Sequence, residues 1–314
     1  MNKKIKKLFA FAALTTTGIY FINRALNYTA TLKNLVNDDH GLYYGWKNGD
    51  VYYTVSGNGS PVLLIHDLHP ASSLAEWSKM IKKLEKEHQV FCVDLPGCGR
   101  SDKPSITYTN YFFVQFINDF IRDVIGKKAT VVATGASGSF TVMAKAMNPE
   151  NFENIILINP ESLSALAKQP DKYKLAYKHL LDCPIFGTFA YNVEMHEKNI
   201  NRLFEKVFYS RTSLISTKME DIYFESAHIG NGTGRFLLSS IRANYTNISI
   251  AHVLPKMDHL YLIGCRDLPG SISIMDEYKQ KNDTIDVGYV SHAKYLPQLE
   301  VPEKLYDTLR MFLV

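Results

Sequence analysis

Short apolar runs pace this chain and fix what it can fold into. Residues 61–66, 90–93, 129–134 and 155–158 are almost wholly apolar, and helical-period stretches at about 74–86, 111–125 and 139–147 separate them. A strand without alternation is buried on both faces, which requires a parallel sheet with crossover helices on either side. The fold class predicted is therefore α/β, a mostly parallel, doubly wound sheet. Ahead of it, residues 42–47 and 51–55 flank Asn48-Gly49-Asp50, the strongest short-range signal for a β-hairpin. The rhythm stops at about residue 162. Residues 162–251 are helical in period and rich in Lys, Tyr and Phe, after which strands at 260–263 and 285–290 and helices at 271–280 and 302–312 resume it. One sheet with a helical lid inserted after its sixth strand follows, divided as 42–161 (core, first part), 162–251 (lid) and 252–314 (core, second part).

The first 28 residues stand apart as a basic tip and apolar segment. Of 35 basic residues, Lys3, Lys4, Lys6, Lys7 and Arg24 lie before residue 25, where no acid occurs, leaving 30 against the 31 acids of the remaining chain. The body is electrically neutral, which argues against a nucleic-acid partner, because tracking phosphates takes clustered cations on the folded domain. Residues 8–22 are uncharged and apolar. Lysines ahead of such a run are what an anionic leaflet attracts. Fifteen residues rise only about 22 Å against a hydrocarbon core of about 30 Å, so the span needs lysine snorkelling and extension towards Leu26. No small-x-small cleavage site follows, which favours an uncleaved membrane anchor over a secretory signal. The other reading is a buried or frayed first helix. The side of the membrane is left open. Cys92, Cys98, Cys183 and Cys265 show no metal-ligand spacing, and no nucleotide or cofactor fingerprint occurs, so neither metal nor cofactor is expected.

The sharpest local signal is Gly135-Ala136-Ser137-Gly138-Ser139, directly after the run 129–134. Small residues either side of a serine suit a tight strand-to-helix turn that presents its hydroxyl at the sheet edge, and the helix start behind it offers amides to a developing oxyanion. A glycine-rich turn that binds phosphate or merely packs is the competing reading.

With these residues in view, residues 42–314 resemble the α/β-hydrolase superfamily in its serine-nucleophile, lid-containing branch. Asp94-Leu-Pro-Gly-Cys-Gly-Arg-Ser-Asp-Lys-Pro104 is similar to the D-x-P-G-x-G-x-S turn, the most specific match. Pro61 to Asp67 resembles the strand ending in His-Gly, whose following amide, here that of Leu68, helps build an oxyanion hole. Gly264-Cys-Arg-Asp267 resembles the site of the triad acid, and Pro297 to Glu303 the segment after the catalytic histidine. The resemblance implies Ser137 as nucleophile, Asp267 as orienting acid with Glu161 as a fallback, and the amides of Leu68 and Gly138 as the oxyanion hole. Two positions depart from it. The histidine position, two residues before Pro297, holds Tyr295, leaving His292 as the nearest imidazole, and Asp67 stands where glycine is usual. A phenol with a pKa near 10 is a poor base at neutral pH.

Two functions follow. One is a membrane-anchored serine hydrolase acting on a small, lipophilic ester or related acyl bond. The other is a pseudoenzyme that keeps the fold as a binding or scaffolding module.

Overall fold

A computed structural model describes residues 3–36 and 41–313. Helix α1 (Lys3–Ala30) leads into an eight-stranded sheet. Its strands are β1 (Leu42–Trp46), β2 (Gly49–Ser56), β3 (Ser60–Ile65), β4 (His88–Val93), β5 (Ala129–Thr134), β6 (Phe152–Ile158), β7 (Leu260–Cys265) and β8 (Asp286–Val290), in the order β1-β2-β4-β3-β5-β6-β7-β8. The hairpin β1–β2 pairs antiparallel, β2 runs antiparallel to β4, and every other neighbouring pair is parallel.

The unbroken apolar runs are explained by where their side chains go. Along β3, Leu63 and Ile65 enter one core cluster while Val62 and Leu64 enter another on the opposite face. Strand β5 divides likewise, with Val131 and Ala133 on the first side and Val132 on the second. Helices α2 (Ser78–Leu84), α3 (Asn110–Phe120) and α4 (Ser137–Met147) connect these strands. The stretch 74–86 is not one helix: a 3₁₀ turn at Leu74–Trp77 precedes α2, and the Asp94 carboxylate accepts the Leu74 amide at 2.6 Å. Helix α4 starts two residues before the expected 139, a shift that matters at the site.

Between β6 and β7 the chain is helical: α5 (Leu163–Leu166), α6 (Lys172–Asp182), α7 (Phe186–Glu194), α8 (Glu197–Leu203), α9 (Thr217–His228) and α10 (Gly234–Arg242). They build a third cluster around Leu181, Tyr191, Phe204 and Tyr223, which reaches Leu296 and Leu299 of the main body. Helices α11 (Ser271–Lys281), α12 (Pro297–Glu300) and α13 (Pro302–Leu309) complete the fold.

Helix α1 is the one described helix long and apolar enough to cross a membrane, and its most apolar stretch is unburied. Its 28 residues rise about 42 Å, longer than residues 8–22 alone suggest. Its far end docks on the helical insertion: Asn23, Asn27 and Ala30, spaced to lie on one face, are buried, and Asn23 Nδ2 donates to the Ile185 carbonyl at 2.8 Å.

Candidate functional site

Strand β5 ends at Thr134, and the residue that turns the chain is Gly135, in the left-handed region at φ 58°. Its amide donates to the Ile158 carbonyl at 2.9 Å, which keeps it level with the ends of β5 and β6. Ser137 comes two residues later, already inside α4. Its side chain is fully buried, and Oγ donates to the His66 carbonyl at 2.6 Å. The expected serine apex is therefore corrected to a glycine, because the strand runs to 134 and the first residue beyond it must make the bend.

The oxyanion donors change with it. The Gly138 amide is spent on the Gly135 carbonyl at 3.1 Å, as a first helical turn requires. The amides of Leu68 and Ala136 converge instead, each 2.9 Å from the same oxygen, Oδ1 of Asp67. In a nucleophile elbow the two amides that receive the oxyanion are the one following the nucleophile and one from the loop after the neighbouring strand. Ala136 and Leu68 stand in those places, so Gly135 occupies the nucleophile position and a carboxylate of the chain itself fills the cradle.

Asp67 is fixed from its other side by Tyr295, whose hydroxyl donates to Oδ2 at 3.0 Å. Tyr295 stacks on Phe208 with centroids 5.9 Å apart, and Asn159 Nδ2 holds the carbonyls of Lys294 and Tyr295 at 3.0 and 2.9 Å. A Cβ built on Gly135 would run into the Tyr295 hydroxyl and Asp67 Oδ1 and lie 2.8 Å from Asp67 Cγ. The volume a nucleophile would need is taken by these two side chains.

Burial pushes the Asp67 carboxyl up to about 6, with Glu161 adding to the rise and the two amides and Tyr295 opposing it. It is mainly ionised at neutral pH. Burial and the neighbouring carboxylates drive the Tyr295 phenol well above its ordinary value, so it remains a donor. Behind them Glu76 accepts from the Tyr223 hydroxyl at 2.7 Å, and burial reinforced by Asp67 lifts it to about 8.

The remaining predicted groups do not gather around Ser137. Asp267 is exposed and accepts from the Ser210 hydroxyl at 2.6 Å. His292 is exposed at φ 63°. No hydrogen bond joins Ser137, Asp267 and His292 among the described residues. Glu161 is largely buried, burial raising its carboxyl, and it lines a cavity of about 240 Å³ with Leu68, Ala136, Lys168 and Asn247. His66 is structural: its Nε2 accepts the Leu95 amide at 3.0 Å, so Nδ1 donates to the Asp67 carbonyl at 2.6 Å. Burial holds its ring neutral, down to about 4. Asp94 braces its turn, its Oδ2 accepting the Arg100 amide at 2.8 Å. Among the described residues no group of three or more His, Cys, Asp or Glu could hold a metal ion.

Asp67 as the occupant of the cradle, and Gly135 as the apex, are the features sequence reasoning missed. Counting β5 residue by residue to its polar end at Thr134 would have placed the bend at 135.

A family model for the alpha/beta hydrolase fold matches residues 60–252, more than half of the chain. The 2-hydroxy-6-oxo-6-(2'-aminophenyl)hexa-2,4-dienoic acid hydrolase of Metapseudomonas resinovorans is 27% identical over 113 residues, 35% of this chain and 39% of that protein. A haloalkane dehalogenase of Agrobacterium fabrum is 25% identical over 104 residues, 33% of this chain and 34% of that one. The chain thus spans well under half the length of these curated relatives. Among solved structures, a serine hydrolase involved in carbazole degradation superposes with a TM-score of 0.71 at 16% identity, covering 87% of this chain and 98% of that one. A membrane phospholipase A gives 0.68 at 18% identity, covering 100% of this chain and 98% of that one. At such identities the likeness is one of fold.

Proposed function

The chain belongs to the α/β-hydrolase fold family, and from that premise we propose that it is a membrane-anchored member that binds a small molecule rather than hydrolysing one. The observation that carries this reading is the Asp67 carboxylate seated on the Leu68 and Ala136 amides, 2.9 Å from each. Acyl transfer requires those donors to meet negative charge as it develops on the substrate. A resident carboxylate both occupies them and repels a second anion. With Gly135 at the apex no side chain is there to attack, and with Tyr295 beside it no imidazole is there to take a proton. The cavity beside the cradle supplies a binding volume, with Glu161 and Lys168 available to a polar ligand and the helical insertion, residues 162–251, as its lid. Anchoring rests on α1, a long helix whose most apolar stretch is unburied, with lysines at its start.

Names of relatives favour a second reading, hydrolysis of a lipophilic ester by Ser137, His292 and Asp267. It requires the Ser137 hydroxyl to leave the His66 carbonyl and the 292 loop to swing inward. One experiment separates the two. The full-length protein and its Ser137→Ala and His292→Ala variants are incubated with a fluorophosphonate probe and with p-nitrophenyl esters. No labelling and no turnover in any of the three is the expected result. Labelling of the parent that disappears in Ser137→Ala overturns the proposal.

A further inference from the structure

We propose that the cleft between α1 and the helical insertion binds a phosphate ester carrying a hydrogen-bond donor, as in the headgroups of phosphatidylethanolamine and phosphatidylglycerol. The cleft, about 330 Å³, is lined by Arg24 and Asn27 of α1 and by Ile185, Asn231 and Arg235 of the insertion, and among the described residues no carboxylate lines it.

Two of its groups lack hydrogen-bond partners although they are buried. Arg235 Nε is a donor with no acceptor, while the same guanidinium spends Nη1 on the Gly232 carbonyl at 3.1 Å. Asn27 is 3% exposed, and its Oδ1 is an acceptor with no donor. Buried polar atoms are almost always satisfied, so an orphan donor and an orphan acceptor on two residues that line one cleft call for a ligand offering both. A phosphodiester oxygen satisfies the guanidinium, and an ammonium or hydroxyl of the headgroup satisfies the carboxamide. Asp182, whose charge acts on Arg235, is occupied by Lys178 at 2.5 Å and by the Ser239 hydroxyl at 2.6 Å. Among the described lining residues, the two arginines therefore meet no competing anion in the cleft.

The cleft lies where a lipid headgroup would be. It opens beside residues 20–27 of α1, just past the apolar stretch 8–22, with Tyr20 on its rim. The adjoining helix α7 turns Phe186, Phe189 and Val193 outward, an exposed apolar stripe at i, i+3 and i+7, as an interfacial helix would.

The inference rests on the membrane-anchored reading for the source of its ligand, and the test keeps the two apart. Full-length protein released from membranes in mild detergent is exchanged with phosphatidylethanolamine, phosphatidylglycerol or phosphatidylcholine, and the bound lipid is read by native mass spectrometry. A single ethanolamine or glycerol lipid retained over the choline lipid, whose headgroup has no donor, is expected. Arg235→Gln and the exposed Arg24→Gln should each lower retention by about tenfold, the worth of one charge-assisted contact. Because Arg24 is exposed, its variant reads binding even if Arg235→Gln misfolds. Competition by glycerol 3-phosphate or phosphoethanolamine would support the site and assign its ligand to a soluble phosphate ester. Retention by the lipid against those competitors supports it and assigns a membrane lipid. Equal retention of phosphatidylcholine, or retention unchanged in both arginine variants, overturns it. Carbonate extraction of the same membranes reports on the anchor alone.

Discussion

Placing a serine where the fold turns, Gly135→Ser, should damage this protein rather than arm it. The left-handed φ of 58° costs a residue with a Cβ about 1–2 kcal/mol by itself. The added atom also enters the space of the Tyr295 hydroxyl and Asp67 Oδ1, so one of the two must move. If Asp67 leaves, the Leu68 and Ala136 amides and the Tyr295 hydroxyl lose their acceptor in a partly buried site. Each orphaned group costs about 1–3 kcal/mol, which water entering from the adjacent cavity partly offsets. A total loss of about 3–6 kcal/mol follows from these terms. In an Asp67→Gly, Tyr295→His background the obstruction is gone and only the backbone term of about 1–2 kcal/mol remains. Urea unfolding of the four proteins, closed as a cycle, should therefore give a coupling of at least about 2 kcal/mol in favour of the combined variant. A Gly135→Ser cost below about 1 kcal/mol, or one equal in both backgrounds, would refute the assignment of position 135 as the occupied apex.

Stability should also respond to pH through Glu76. Its carboxyl is raised from an ordinary 4.5 to about 8, first by burial and then by Asp67. The native state thus keeps a proton that the unfolded chain has already released, and that contribution is lost as pH rises through about 8. Between pH 7 and 8.5 the unfolding free energy should fall by about 1 kcal/mol, and Glu76→Gln should flatten the fall; a parallel slope in the variant counts against it. Trp46 anchors the hairpin to α3, its Nε1 donating to Asp119 at 3.0 Å and its ring meeting Phe112 and Phe116 edge-on at 5.0 and 5.3 Å. Trp46→Ala should cost about 3–5 kcal/mol by thermal unfolding, and less than about 1 kcal/mol would contradict that packing.

The sheet was legible because its signal is redundant. Five strands buried on both faces, β3 to β7, repeat the same apolar demand, and the turn at Asn48-Gly49 needs only local chemistry. The site was less so. Ser137 and Gly135 lie two residues apart in a segment where every residue is small, so spacing fits either as the apex, and only the last ladder pair, Thr134 with Ile158, decides. Asp67 and Tyr295 were visible as departures, but their meaning was not. That a carboxylate 228 residues from a phenol accepts its hydrogen bond is a fact of tertiary approach. Likewise, no periodicity foretells that Asn23 and Asn27 of an apolar helix turn inward against the insertion.

Three positions far apart in the chain, 67, 135 and 295, are occupied in a way that makes sense only together. A glycine at 67 would leave the amides of Leu68 and Ala136 without their acceptor and the Tyr295 hydroxyl without its partner. A side chain at 135 would have no room while Asp67 and Tyr295 stand there. Phenylalanine at 295 would strip the Asp67 carboxylate of its side-chain donor in a partly buried place. Each residue satisfies or accommodates the other two, so the three form one closed polar cluster. Restoring any single family residue should therefore lower stability and, on the binding reading proposed above, return no activity, since each of the three is held by its fit to the other two.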